Sequence, residues 1–146
     1  MITNLDKTTQ EQLEHFLETF GAPALRSAMN RYSGEHTYYL FQSNKTIRKI
    51  PIFSIKYVEI FGHNIVFHTL YGQFEKRGTL REEHEFLKKH NFIKCDQSHL
   101  IPVHRIYAVE NRQVLLTTGD ILPLSRSCCA HVKEAFLKST SHTDPL

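Results

Sequence analysis

Histidine and cysteine are the residues of this chain that could most readily bind a metal ion. The 146 residues include 10 histidines and 3 cysteines. Cys95 precedes His99 by four residues, so strand alternation places both on one face and His104 on the other. The sequence contains neither Cys-x-x-Cys nor His-Glu-x-x-His, which are spacings typical of zinc sites. We therefore expect no metal site and interpret the histidines as structural or surface residues.

The adjacent pair Cys128 and Cys129 is the candidate for nucleophilic catalysis. Both residues lie near the predicted start of a helix, where the amide dipole favours a thiolate. No signature of a cysteine hydrolase surrounds them, and Cys129 falls on the apolar face of that helix. The sequence also lacks the glycine-rich loops that bind phosphate. We predict no catalytic residue, no cofactor and no small-molecule substrate, so the chain is not expected to be an enzyme.

Side chains that form directional hydrogen bonds are concentrated in predicted turns and at a predicted helix start. Asparagine, glutamine and arginine read base edges in the major groove, while serine and histidine contact phosphates or bases. The candidates for DNA contact are His63, Asn64, Gln97, Ser98, Ser125, Arg126 and Ser127. Each also has an ordinary structural interpretation, such as a turn for Asn64 or a helix cap for Ser125. Residue type alone leaves both interpretations open.

The first 35 residues have the pattern of two short helices. The apolar residues at helical spacing are Leu13, Phe16, Leu17 and Phe20. Thr8 and Glu11 have the spacing of a capping box, Gly21 suits a helix end, and Pro23 suits the start of a second helix. Helices this short cannot bury their apolar faces alone. We expect this leader (residues 1–35) to dock on the body, on a second copy or on a partner.

Residues 36–138 consist mainly of short extended segments separated by turns. Their aromatic and β-branched composition predicts antiparallel hairpins, and we expect no internal repeat. A middle helix is predicted from the capping box of Thr79 and Glu82 to the left-handed terminator Asn91. Ser125 is predicted to cap a C-terminal helix.

The predicted fold is mostly β. It is an elongated stack of small antiparallel sheets with one middle helix, a C-terminal helix and a short helical N-terminal leader. Residues 139–146 are predicted to be a flexible tail.

Composition and charge restrict the class of protein. Hydrophobic residues make up 40% and charged residues 23% of the chain, which is typical of a globular domain. No apolar run reaches the roughly 18 residues of a membrane-spanning helix. The three cysteines fit a reducing cytoplasm. The leader carries five acidic and three basic residues, whereas the remaining chain has a net charge of +5, which indicates a polyanionic partner.

Three segments in the order found here resemble the LytTR family, the DNA-binding domains of bacterial transcriptional regulators. The segments are Ile55-Lys56-Tyr57-Val58-Glu59 followed by Gly62, Thr79-Leu80-Arg81-Glu82 with Phe92, and Ile121-Leu122-Pro123-Leu124-Ser125-Arg126. The resemblance runs from about His36 to Lys138 and implies a mostly β fold. It also implies binding to double-stranded DNA through loops that enter successive major grooves.

The resemblance assigns the three loops to the turns already found to be polar. The first loop falls on His63 and Asn64, the second on residues 96–98, and the third on Ser125, Arg126 and Ser127. Their charge and position suggest that Lys94 and Lys133 contact phosphates.

The second loop departs from the pattern common in the family. Asp96 places a negative charge where a phosphate or base contact is expected, and Gln97 replaces a cation but can still pair with adenine. Pro102 lacks an amide, which indicates an edge strand or an altered turn. These departures imply a changed operator sequence or a loss of DNA binding.

We predict a sequence-specific transcriptional regulator from a bacterium that acts in the cytoplasm as a homodimer or with a regulatory protein partner. The leader is too short for a phosphoacceptor receiver domain, so we expect control by a separate protein. The alternative is a protein-interaction module of the same fold that has lost DNA binding and acts through its helical leader. A single-stranded RNA binder is a third class, but such proteins need exposed aromatic platforms.

Overall fold

The computed structural model describes residues 7–26 and 37–140. Within these ranges the chain forms ten β-strands and three longer α-helices, with a short helical segment over residues 22–26. The helices are α1 Lys7–Phe20, α2 Leu80–Leu87 and α3 Arg126–Thr140. The strands are β1 Tyr38–Gln42, β2 Ile47–Pro51, β3 Ile55–Phe61, β4 Asn64–Thr69, β5 Gly72–Arg77, β6 Phe92–Asp96, β7 His99–Pro102, β8 Ile106–Glu110, β9 Gln113–Leu116 and β10 Ile121–Pro123.

The strands form three antiparallel sheets. β1 pairs with β2, five strands form a central sheet in the order β5-β4-β3-β7-β6, and three form a last sheet in the order β10-β9-β8. α2 connects β5 to β6, and α3 follows β10. The predicted mostly β fold, with a middle helix and a C-terminal helix, is confirmed.

The central sheet is covered on both faces. One hydrophobic cluster joins it to the β1–β2 sheet and α2, and includes Phe41, Phe67 and Leu87. A second cluster joins it to the last sheet and α3, and includes Ile101 and Val132. Burial on both faces explains why five consecutive residues of β4 are buried, without the alternation of a half-exposed strand.

Local capping signals in the sequence correspond to observed helix ends. The Thr79 hydroxyl oxygen accepts a hydrogen bond from the Glu82 amide at 3.2 Å, and Asn91 adopts φ 65° after the 3-10 turn that follows α2. The Ser125 hydroxyl accepts from the Cys128 amide at 3.2 Å. Gly21 has φ +87° and ends α1, as predicted. The predicted capping box at Thr8 is wrong, because α1 already begins at Lys7.

The structure contains a repeated unit, contrary to the prediction that there is no repeat. Residues 50–59 and 101–110 share the pattern Ile-Pro-(Ile/Val)-x-x-Ile-x-x-Val-Glu. In each unit a strand ends at proline, one 3-10 turn follows, and the next strand forms a hairpin with a register shift near its start. We call the hairpins β3–β4 and β8–β9 the first and second unit hairpins.

Pro102 therefore ends a strand inside the central sheet. β7 lies between β3 and β6, so the prediction of an edge strand is wrong. Pro102 is the last residue of β7, and a 3-10 turn over Val103–Arg105 follows it. The alternative, a turn altered from the family pattern, stays a prediction.

The two units contact each other at equivalent positions of their 3-10 turns. The ring of Phe53 stacks on His104, with 5.4 Å between centroids. Arg105 Nη2 donates a hydrogen bond to the Phe53 carbonyl oxygen at 2.6 Å, and its guanidinium lies 5.1 Å from the centre of the Phe53 ring. A buried arginine thus joins the central sheet to the last sheet.

The leader forms a helix as predicted, but none of the residues of α1 is buried in the described structure. The Phe16 and Phe20 rings lie 5.0 Å apart, and Phe20 is 63% exposed. Residues 1–6, 27–36 and 141–146 lie outside the described ranges, and with them most of the predicted tail. Ser139 and Thr140 belong to α3, which extends past the predicted domain end at Lys138. Among the described helices, none is both long and apolar enough to span a membrane.

Candidate nucleic-acid interface

The first two predicted loops lie side by side at one end of the central sheet. The first is the tight turn between β3 and β4 at Gly62 and His63, and the second is the turn between β6 and β7 at Gln97 and Ser98. Because β3 and β7 are antiparallel neighbours, β3 ends where β7 begins. The Ile60 amide donates to the Ser98 carbonyl oxygen at 3.0 Å. We call this part of the molecule the turn end.

The third predicted loop reaches the same end through the start of α3. The Ser125 amide donates to the Cys95 carbonyl oxygen at 2.9 Å, next to the second loop. Arg126 and Ser127 form the exposed first turn of α3. The Ser125 hydroxyl caps the helix and lies 3.2 Å from the Ser127 hydroxyl. The structural interpretation of Ser125 as a cap is thus correct, and its neighbours remain available for a ligand.

Asn64 faces a shallow groove that the sequence analysis did not predict. The groove has a volume of about 630 Å³ and lies between the β1–β2 turn, the start of β4 and the strand β5. Its lining residues are Gln42, Ser43, Asn44, Lys45, Asn64, Gln73, Glu75, Lys76 and Arg77. The Gly78 amide donates to the His63 carbonyl oxygen at 2.9 Å, which fixes the end of β5 beside the first loop. Three cations thus line the groove together with Asn64: Lys45, Arg77, and Lys76, which is paired with Glu83 at 3.2 Å.

Lys94 lies on the strand that leads into the second loop, and Lys133 lies on the helix that follows the third loop. Lys94 is exposed on β6, two residues before Asp96. Together with burial, which is the larger cause, its charge lowers the pKa of His84 on α2, so it is close to that helix. Lys133 is exposed on α3, seven residues after Arg126 and hence on the same helix face.

A chain of hydrogen bonds beneath the second loop uses the carboxylate of Asp96. Asp96 Oδ1 accepts from the Ser98 amide at 2.8 Å and lies 2.8 Å from His99 Nδ1. His99 Nε2 lies 3.1 Å from Glu59 Oε2, and Glu59 Oε1 lies 2.5 Å from His68 Nε2. The acidic side chain is therefore occupied within the protein, which leaves the exposed Gln97 at the tip of the loop. Whether the charge of Asp96 changes the operator sequence or weakens DNA binding stays a prediction.

Cys95, Asp96 and His99 are close enough to be considered as metal ligands. Their candidate ligand atoms lie within 4.8 Å of one another. The register shift between Lys94 and Asp96 interrupts the regular strand alternation at Cys95. Burial raises the pKa of the Cys95 thiol to about 12, so the thiol stays protonated near neutral pH. Metal binding requires the thiolate. We interpret the cluster as hydrogen-bonded support of the second loop, and the absence of a metal site stays a prediction.

A fourth turn lies beside the third loop and was not among the predicted site residues. Asn111 and Arg112 connect β8 to β9, are exposed, and have φ values of 51° and 58°. The Leu124 amide donates to the Arg112 carbonyl oxygen at 2.9 Å, immediately before Ser125. Their residue types and their place between two extended segments indicate only a turn. Alignment of the two repeated units would have identified them as the counterpart of the first loop.

Comparisons with known proteins agree with this architecture. Residues 45–137 match the family model of the LytTr DNA-binding domain. A solved structure of a LytTr DNA-binding domain from Bacillus cereus is similar, with a TM-score of 0.58 and 17% sequence identity over 68% of this chain and 95% of that one. This likeness concerns the fold. A search of curated proteins found no match. Since the family model covers β2 to α3 and more than half of the sequence, the chain belongs to the LytTR family of DNA-binding domains.

Proposed function

We propose that this protein is a transcriptional regulator that binds double-stranded DNA sequence-specifically, through loops that enter successive major grooves. Membership of a DNA-binding family supports a DNA partner. The observation that carries the finer proposal is the grouping of the three polar loops at the turn end. Two backbone hydrogen bonds tie them together, from the Ile60 amide to Ser98 and from the Ser125 amide to Cys95.

The chemistry of the exposed side chains suggests their roles. Arg126 is suited to a bidentate contact with guanine, and Gln97 and Asn64 to contacts with adenine. His63, Ser98 and Ser127 supply further hydrogen bonds to bases or phosphates. Lys94 and Lys133 are suited to phosphates that flank the loops, because both are exposed cations on elements that lead into or out of a loop. As part of the same proposal, the regulator acts in the cytoplasm of a bacterium without a cofactor or catalysis.

Selection of bound duplexes from a randomised pool, followed by a salt titration of the selected operator, tests this proposal. We expect an enriched motif whose affinity falls steeply as salt rises. Arg126→Ala should weaken operator binding by about 1–3 kcal/mol and relax the base preference at one position. Lys89→Ala is the matched control, because Lys89 is an exposed cation at the opposite end of β6.

Two results would contradict the proposal. Absence of enrichment and of binding at low salt would remove the DNA-binding function. Equal weakening of operator and random duplex by Arg126→Ala would exclude base recognition by that residue.

A second candidate function is binding of a protein partner through the leader. It is supported by the exposure of α1, where Leu17 and Phe20 present apolar surface. A homodimer or a complex with a regulatory protein would cover this face. Sedimentation of the full chain, with and without operator DNA, should give a dimer that Leu17→Ser converts to a monomer. A monomer under both conditions would exclude self-association.

A further inference from the structure

We propose that the turn at Asn111 and Arg112 is a fourth DNA-binding element, in which Arg112 contacts a backbone phosphate beside the third loop. This inference rests on the proposed function. It adds a contact that the three loops do not include, and it assigns a role to the second unit hairpin.

The placement of the turn is the first argument. β10 is antiparallel to β9 and therefore parallel to β8, so β10 ends where the β8–β9 turn lies. The Leu124 amide donates a hydrogen bond to the Arg112 carbonyl oxygen, with 2.9 Å between nitrogen and oxygen. This bond holds the end of β10 against the β8–β9 turn. Leu124 is two residues before Arg126. Any duplex that contacts the start of α3 thus passes close to Arg112.

The repeated units supply the second argument. The β3–β4 and β8–β9 turns occupy equivalent places in the two units, and both lie at the end of the molecule opposite the 3-10 turns. The first of them is the first predicted DNA-binding loop. Arg112 puts a cation at the tip of the second, and no carboxylate within ion-pair distance of it is found in the described part of the chain.

The lengths of the two hairpins favour a phosphate over a base as the contact of Arg112. Beyond the equivalent residues Val58 and Val109, the first hairpin has three strand pairs and the second has one. Because it has two fewer pairs, the second hairpin extends about 7 Å less far beyond its valine than the first, at about 3.4 Å per residue. The major groove is about 8.5 Å deep, so a turn set back by that distance meets the rim of the groove, where the phosphates are.

The backbone of the turn supplies a third argument. Arg112 has φ 58°, a left-handed conformation that glycine and asparagine adopt far more readily than arginine. The chain therefore carries a cation where the local conformation favours a neutral residue. Backbone strain that persists at an exposed position is a reason to look for function there.

Measurement of the salt dependence of binding tests the proposal with the full chain. Binding of Arg112→Gln and Arg112→Gly to the selected operator and to a scrambled duplex is followed by fluorescence anisotropy as salt is raised. We expect about tenfold weaker binding to both duplexes near 0.1 M salt, and a loss of about one from the salt slope, as for one phosphate contact. Arg112→Lys should retain the slope. Lys89→Gln, which removes a cation at the far end of β6, should change neither quantity.

Each alternative result is distinguishable. Unchanged affinity and slope in both Arg112 variants would overturn this inference, while the proposed function would stand if Arg126→Ala still impairs binding. Weakening on the operator alone would indicate a base contact and overturn the assignment to phosphate. Failure of the unmodified chain to bind either duplex would overturn both proposals. Because glycine adopts φ 58° readily, the Arg112→Gly variant should fold normally. Weaker DNA binding by that variant can therefore not be attributed to misfolding.

Discussion

The two unit hairpins share a local pattern but differ in their surroundings. β3, in the first, lies inside the central sheet, with neighbours on both sides and a hydrophobic cluster on each face. β8, in the second, is an edge strand of the last sheet. The equivalent residues Val58 and Val109 reflect this difference, since Val58 is fully buried and Val109 is only half-buried.

The same difference changes the role of an identical residue. Glu59 is half-buried between His68 and His99 and helps hold the second loop. Glu110, its counterpart, is exposed at the end of β8. Local sequence therefore determines the strand, the turn and the hairpin, whereas the neighbouring strands decide whether a carboxylate is structural or solvated.

The largest loss of stability is expected for a substitution at the contact between the two units. Arg105→Met keeps an apolar stem but removes the hydrogen bond to Phe53 and the contact with its ring, so we expect a loss of about 3 kcal/mol in the free energy of unfolding. The counterpart Ser54 donates to the Pro51 carbonyl oxygen within its own turn, at 2.6 Å. Ser54→Ala should cost about 1 kcal/mol. Urea unfolding followed by circular dichroism measures both.

An equal or smaller loss for Arg105→Met than for Ser54→Ala would show that Arg105 does not join the units. The comparison is informative because both residues are buried and hold equivalent positions.

A smaller loss of stability is expected for the glutamates at equivalent positions of the two units, Glu59 and Glu110. Glu59→Gln replaces a carboxylate that contacts two histidines, and should lower the free energy of unfolding by about 2 kcal/mol. Glu110→Gln should change it by less than about 0.5 kcal/mol, because the group is exposed. In the selection experiment Glu59→Gln should also broaden the bases accepted by the second loop. Equal stability of the two variants would show that the histidine contacts contribute nothing.

Features that depend on neighbouring residues in the chain were predictable from the sequence. The hairpins, the caps at Thr79 and Ser125, and the left-handed Asn91 follow from local hydrogen bonding and backbone preference. The three polar loops were identified for the same reason.

Features that depend on distant residues were missed. The contacts of Glu59 come from β4 and β7, and the His99 contact spans 40 residues. The repeat could have been read from the sequence, because five of the ten residues of 50–59 and 101–110 are identical, but the shorter second hairpin ends the match after Glu110. Without the repeat, the turn at Arg112 could not be recognised as the counterpart of the first loop.

The smallest effects, with opposite signs, are expected in the two turns. Gly62 has φ +63°, and a Cβ atom there would meet no atom within 4 Å, so Gly62→Ala suffers from backbone strain alone. We expect a loss of about 1 kcal/mol in the free energy of unfolding. Arg112→Gly should instead gain about 0.5 kcal/mol, because relief of strain outweighs the greater entropy of the unfolded chain. Thermal and urea unfolding of both variants measure these changes. A stabilised Arg112→Gly protein that binds DNA less tightly would separate binding from stability, whereas a destabilised one would show that the arginine side chain supports the hairpin.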